Sequence, residues 1–117
     1  MSAFYTTVAR FYYSETSDKS DDLILYSRLA DEYEGDILDL VCGTGRVLIH
    51  LAQEGYQVHG IDNDRAMLDR FEHKLRVYPH LRDNIKVIEG DALTQKLTQK
   101  FSLILLTYNA LMHFQEQ

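Results

Sequence analysis

Asp39-Leu40-Val41-Cys42-Gly43-Thr44-Gly45-Arg46 is the stretch on which the fold turns. Before it lies a short apolar run, Ile37 to Val41, and after it a helical pattern, Arg46 to Glu54, closed by Gly55. An apolar run ending in a glycine turn that opens a helix reads as a buried strand, a tight turn and a helix packed back on the sheet. Glycines at such a turn let a backbone approach a ligand with no Cβ in the way, and the helix start offers N–H groups lacking intrahelical partners. By itself the Gly-Thr-Gly also fits a plain tight turn.

Working outward, the same alternation recurs. Tyr56 to Ile61 predicts a second strand; Asp64 caps a helix to about Arg76, with Met67, Leu68, Phe71 and Leu75 facing the core. Pro79 breaks the chain, and Ile85 to Glu89 and Phe101 to Thr107 read as two further strands. Strands separated by helices imply an α/β fold, a Rossmann-like parallel sheet with flanking helices, here truncated after about four strands. Towards the N-terminus, aromatic residues (Phe4, Tyr5, Phe11, Tyr12, Tyr13) followed by a polar stretch read as a short helix and a loop. Ser20 or Asp21 then caps a helix to about Tyr33 with Leu25, Leu29 and Tyr33 on one face, stopped by Gly35. The chain is thus expected to form one domain, residues 1–117, with a helical segment 1–34 and a core 35–117. A strand as apolar as Leu103-Ile104-Leu105-Leu106 is uncomfortable at a sheet edge, and something is expected to cover it.

Composition narrows the possibilities. The chain has 117 residues, 45% apolar and 26% charged, with a net charge of −6. That is ordinary for a globular domain, and a nucleic-acid partner is not expected because phosphate binding calls for a basic patch. The densest basic stretch, Arg70 to Arg82, is interrupted by Glu72 and Pro79 and reads as a solvated helix face. No apolar run approaches the roughly 20 residues that span a bilayer, so no membrane association is expected. Residues 1–10 lack the pattern of a signal peptide, and Cys42 is the only cysteine. Both point to a cytoplasmic protein. His50, His59, His73 and His80 fall at spacings that fit no metal site, and no metal is expected.

Three acids at successive strand ends give the glycine turn its meaning. Asp39 ends the first strand, Asp62 follows the second about 20 residues after the glycines, and Asp91 follows the third. A carboxylate in the second position accepts hydrogen bonds from ribose hydroxyls, and one in the third from an exocyclic adenine amine. Each alone also suits a cap or turn. In a parallel sheet all three converge on the C-terminal edge of the strands, where such folds bind ligands.

These segments, Ile37 to Val47, Val58 to Leu68 and Val87 to Leu93, resemble in order and spacing the first three motifs of the class I S-adenosylmethionine (SAM)-dependent methyltransferases. Phe101 to Leu106 and the following Tyr108 to Phe114 are similar to the fourth motif and the helix after it. Tyr5, Val8, Ala9, Phe11 and Tyr12 are similar to the opening of small-molecule methyltransferases of this group, including sugar amine N-methyltransferases. The resemblance implies SAM as cofactor and S-adenosylhomocysteine as product. It implies that Gly43 and Gly45, flanked by Val41 and Cys42, line the methionine moiety while Asp39 holds its ammonium group. It places Asp62 on the ribose, Asn63 and Met67 beside the adenosine, and Asp91, Ala92 and Leu93 at the adenine. Tyr12 would close over the methionine end, and Thr107 would lie near the transferred methyl. His113 is the candidate base, with a partly buried helix histidine as the plainer alternative. Cys42 sits at a helix start that can lower a thiol pKa, yet cysteine is common there in the family and packing is the stronger expectation.

Two departures from the family pattern stand out. Glycine is usual where this chain has Val41, and overpacking against a ligand costs about 1–3 kcal/mol, roughly a tenfold to hundredfold loss of affinity. Ser102 replaces a common aspartate. The family's sheet also has more strands than this chain supplies. The expectation is therefore either a missing C-terminal half or a truncated homologue that self-associates through its exposed fourth strand. The function expected is methyl transfer to a small molecule; the alternative is a non-catalytic, weakly SAM-binding or dimerising remnant. An NAD-binding module fits poorly, because neither frame of Gly-x-Gly-x-x-Gly is satisfied by Val41, Arg46 or Leu48.

Overall fold

The computed structural model describes residues 11–13, 19–40, 42–92, 94–97 and 99–106. Strands β1 (Phe11–Tyr13), β2 (Ile37–Asp39), β3 (Val58–Asp62), β4 (Ile85–Glu89) and β5 (Leu103–Leu106) form one sheet in the order β1-β5-β2-β3-β4. All four pairings are parallel, so every strand ends on the same edge. Helices α1 (Lys19–Glu32), α2 (Arg46–Gln53) and α3 (Arg65–Leu75) and a 3₁₀ turn, Pro79–Asn84, complete the described structure. The expected Rossmann-like α/β arrangement is present.

The helices share one core cluster with one face of the sheet. Tyr26, Leu29 and Ala30 of α1, Leu48 and Leu51 of α2, and Leu68, Phe71 and Leu75 of α3 pack with Ile37, Val58, Ile85, Leu103 and Leu105. Helix α2 buries five residues, Val47, Leu48, Ile49, Leu51 and Ala52, because it is wedged between α1 and the sheet. A smaller cluster on the other face joins Leu38, Ile61 and Phe101, with Ala92 and Leu97 packed against it. Central strands β2 and β3 are buried along their whole length, as parallel strands covered on both faces must be. Beyond them β4 forms an edge, and only Ile85 of its residues is buried.

Three expectations change. Phe11–Tyr13, read as helical, is a strand that pairs Tyr12 with Leu105. Consecutive aromatics favour the extended backbone, and the free edge of β5 supplies the partner. That pairing also answers the question of what covers β5, and it removes the reason given for self-association through an exposed fourth strand. In α1 the buried stripe is Tyr26, Leu29 and Ala30, with Tyr33 half-buried, whereas Leu25 is 44% exposed. Leu29 and Tyr33 thus lie on the core side as expected, and Tyr26 takes the place expected of Leu25. Asp62 is the last residue of β3 rather than the first beyond it.

Polar ties close the edge of the sheet where the strands begin. Asp36, just before β2, accepts from His59 Nε2 at 3.1 Å and from Gln99 Nε2 at 2.8 Å. The buried His59 ring stands edge-on to Phe101, with centroids 5.0 Å apart. Ser102 lies on this same edge, its Oγ within reach of the carbonyls of Tyr33 at 2.9 Å and Asp36 at 3.2 Å. The replacement of aspartate by serine at this position is therefore remote from the strand ends where the acids gather.

Candidate cofactor site

The opposite edge, where the strands end, is built around one carboxylate. Asp62 is 5% exposed, and its Oδ2 accepts from the Gly43 backbone N–H at 2.7 Å. Its Oδ1 accepts from the Asp64 N–H at 2.8 Å. The same side chain thus holds the glycine turn after β2 and the entry to α3, and each oxygen keeps a lone pair for a further donor. Asp39, at the end of β2, is buried at 1% exposure. The Gly90 N–H donates to the Asp62 carbonyl at 3.0 Å, which draws the start of the loop carrying Asp91 alongside. Asp91 itself is exposed, and its carbonyl accepts from the N–H groups of Thr94 and Gln95 in a helical turn.

The two turn glycines differ in role. Gly43 has φ 59°, and a Cβ built there would meet no atom of the described residues within 4 Å. Among the described residues its backbone is left uncovered by any side chain at that position. Gly45 has φ 82°, and a Cβ there would lie 2.6 Å or less from three atoms of the Phe71 ring. Its N–H is already spent on the Cys42 carbonyl at 2.9 Å. Gly45 must be glycine because the Phe71 ring of α3 packs against it. Helix α2 has Gly45 as its N-cap and no side-chain cap, so no capping side chain takes up the N–H groups of its first turn.

Cys42 is an inert packing group. It is buried, and its Sγ would lie 2.8 Å from a Cβ on Gly60 of β3, a contact only glycine permits. Burial first, then the charges of Asp39 and Asp62, push the thiol pKa well above its ordinary value. The helix start does not outweigh them, and burial with a raised pKa fits the packing role expected of this cysteine.

Asp64 caps α3 as expected, its Oδ1 accepting from Ala66 N at 3.0 Å and Met67 N at 3.3 Å. Asn63 is exposed and Met67 half-buried at the head of that helix; Ala92 is half-buried against Leu38, Ile61 and Phe101. Tyr12 lies in β1, next to β5. Val41, Leu93, Thr107 and His113 lie outside the described residues. Among the described residues, no group of three or more His, Cys, Asp or Glu is placed to hold a metal ion. No helix among them is long and apolar enough to cross a membrane.

Two contacts at this edge had no separate signal in the chain. Arg65, at the start of α3, pairs with Glu89 at the end of β4 at 2.7 Å. Lys74 Nζ donates to Thr44 Oγ1, between the two glycines, at 3.1 Å. Both join residues far apart in sequence, and only the helical position of the basic residues hinted at which way they face.

Comparison with known proteins now decides the family. A family model described as "Methyltransferase domain" matches residues 37–117. The chain belongs to the methyltransferase domain family. The methyltransferase domain is 32% identical, over 81 residues, to the cypemycin N-terminal methyltransferase of a Streptomyces species, covering 69% of this chain and 31% of that protein. Its fold superposes on the glycopeptide N-methyltransferase MtfA complexed with sinefungin with a TM-score of 0.73 at 20% identity, covering 91% of this chain and 44% of that one. The CcbJ methyltransferase from Streptomyces caelestis gives a TM-score of 0.68 at 27% identity, over 77% of this chain and 37% of that one. The domain thus spans less than half the length of each. MtfA is also known with SAM and with S-adenosylhomocysteine, and SAM is the cofactor that the family implies for this domain.

Proposed function

We propose that this chain is the SAM-binding part of a methyltransferase that acts on a small molecule, an amine or a peptide terminus being the acceptor classes that the named relatives suggest. The observation that carries the reading is the buried Asp62 carboxylate bonded to Gly43 N–H at 2.7 Å, at a glycine whose Cβ position no described residue approaches within 4 Å. The residues present fit the cofactor. Asp62 has acceptor capacity left for ribose hydroxyls, Gly43 leaves room for the methionine chain, and Asp39 is an anion suited to its ammonium group. Asn63 and Met67 would flank the adenosine, and Asp91, Ala92 and Leu93 the adenine, with Tyr12 closing the methionine end and Val41 adjoining it.

When bound, SAM supplies a methyl group activated by its sulfonium. Methyl transfer is an in-line displacement: the acceptor's lone pair forms the new bond to carbon as the carbon–sulfur bond breaks, its electron pair staying on sulfur. The chain's task is to hold and orient, which accounts for most of the acceleration available to such a reaction. Thr107 would stand near the methyl, and His113 would take the proton from an amine acceptor.

Calorimetric titration with SAM and S-adenosylhomocysteine, with NAD as control, tests the reading. Micromolar binding of both, and none of NAD, is the expected result. A folded chain giving no heat up to millimolar SAM would overturn it and leave the non-catalytic scaffold in its place.

A further inference from the structure

We propose that Lys74 is a positioning residue for the cofactor, acting through Thr44 to hold the glycine turn in the shape that binds; the cofactor role rests on the function proposed above. Among the described residues, three contacts reach Gly43, Thr44 and Gly45 from the sheet and from α3. Asp62 Oδ2 holds Gly43 N–H from the sheet at 2.7 Å. Phe71, 1% exposed, packs its ring directly beneath Gly45. Lys74 Nζ bonds Thr44 Oγ1 at 3.1 Å. Phe71 and Lys74 are three residues apart on α3, so one helix face carries both the wedge and the tether.

The middle residue matters because of its neighbours. Gly43 and Gly45 both have positive φ, and glycine is the residue freest to leave such a conformation. Thr44 is the only side chain between them. A bond to it restrains both flanking glycines at once, so the turn reaches the cofactor already ordered and less freedom is lost on binding. Lys74 needs no contact with the cofactor to do this.

Lys74→Met keeps the length of the stem and removes the donor, and Thr44→Val keeps the shape and removes the acceptor. Each is expected to weaken SAM binding about threefold to tenfold, the cost of ordering on binding a turn no longer held in advance. The double variant should be no weaker than either single one, Lys74→Arg should recover most of the affinity, and melting temperatures should stay within about a degree or two of the parent. Unchanged affinity in both single variants, or losses that multiply in the double, would overturn the proposal. Amide hydrogen exchange at Gly43, Thr44 and Gly45 without any cofactor gives a second, independent readout. Lys74→Met should speed it at those three amides and leave β3 unaffected. Exchange that does not change overturns the positioning role, even in a chain found to bind SAM; faster exchange in a chain that binds no SAM upholds the tether and sinks only the cofactor reading.

Discussion

Asp62 accepts two backbone hydrogen bonds from two different segments with a side chain almost removed from water. Asp62→Asn tests that double duty. An amide has one oxygen to offer, so one backbone N–H would face an NH₂ group. We expect a loss of about 1–3 kcal/mol from the unsatisfied buried donor, read as a shifted midpoint in urea denaturation. Cys42 gives a prediction with a pH sign. Its pKa is raised on folding, so the native state keeps its proton where the unfolded chain has lost it. Stability is fully present below the unfolded thiol pKa of about 8.5 and falls by about 1.4 kcal/mol per pH unit above it. Cys42→Ala should flatten that fall between pH 9 and pH 10. A slope that the substitution leaves unchanged would assign it to other groups. Reading the chain alone, Asp62 and Gly43 were both identifiable, because strand-end acids and glycine turns leave a linear pattern. The steric reason for glycine at Gly45 was not, because it depends on Phe71, which reaches the turn only once α3 has docked.

Among the elements, β5 receives the cover that its apolar sequence called for. Its sequence is too apolar for an open edge, and β1 and β2 flank it in the sheet. Its beginning is anchored by Ser102, whose N–H donates to the Asp36 carbonyl at 2.9 Å while its hydroxyl serves the Tyr33 and Asp36 carbonyls. Restoring the family's acid by Ser102→Asp would set a carboxylate against two acceptors, beside Gly35, whose Cβ position is 2.8 Å from Ser102 Oγ. We expect destabilisation of about 1–3 kcal/mol, measured by thermal denaturation, with SAM affinity unchanged once the variant is folded. Coupled loss of affinity would place Ser102 in contact with the site. Most helices and strands were legible to within a residue or two, since Asp64, Gly55 and Pro79 punctuate the chain by local chemistry. The short β1 was not, because three residues form a strand only when a neighbouring edge is there to pair them.

For the molecule as a whole, binding at the sheet edge should be felt as stability, because the turn, β3 and the head of α3 meet at one carboxylate. At a SAM concentration a hundred times the dissociation constant, linkage adds about 2.7 kcal/mol to the folded state. A rise in melting temperature with SAM and S-adenosylhomocysteine, and none with NAD, is the expected outcome of a thermal-shift experiment. The alternating pattern of apolar runs, the glycine turn and the acids at strand ends were determined by the sequence itself, because each is a matter of local spacing. The family followed from the same residues. Strand order, the covering of β5 by β1, the burial of Cys42 against Gly60 and the Lys74–Thr44 bond were decided only by the tertiary structure. Each of these joins segments distant along the chain, and such pairings exist only after helices and strands have packed around a common core.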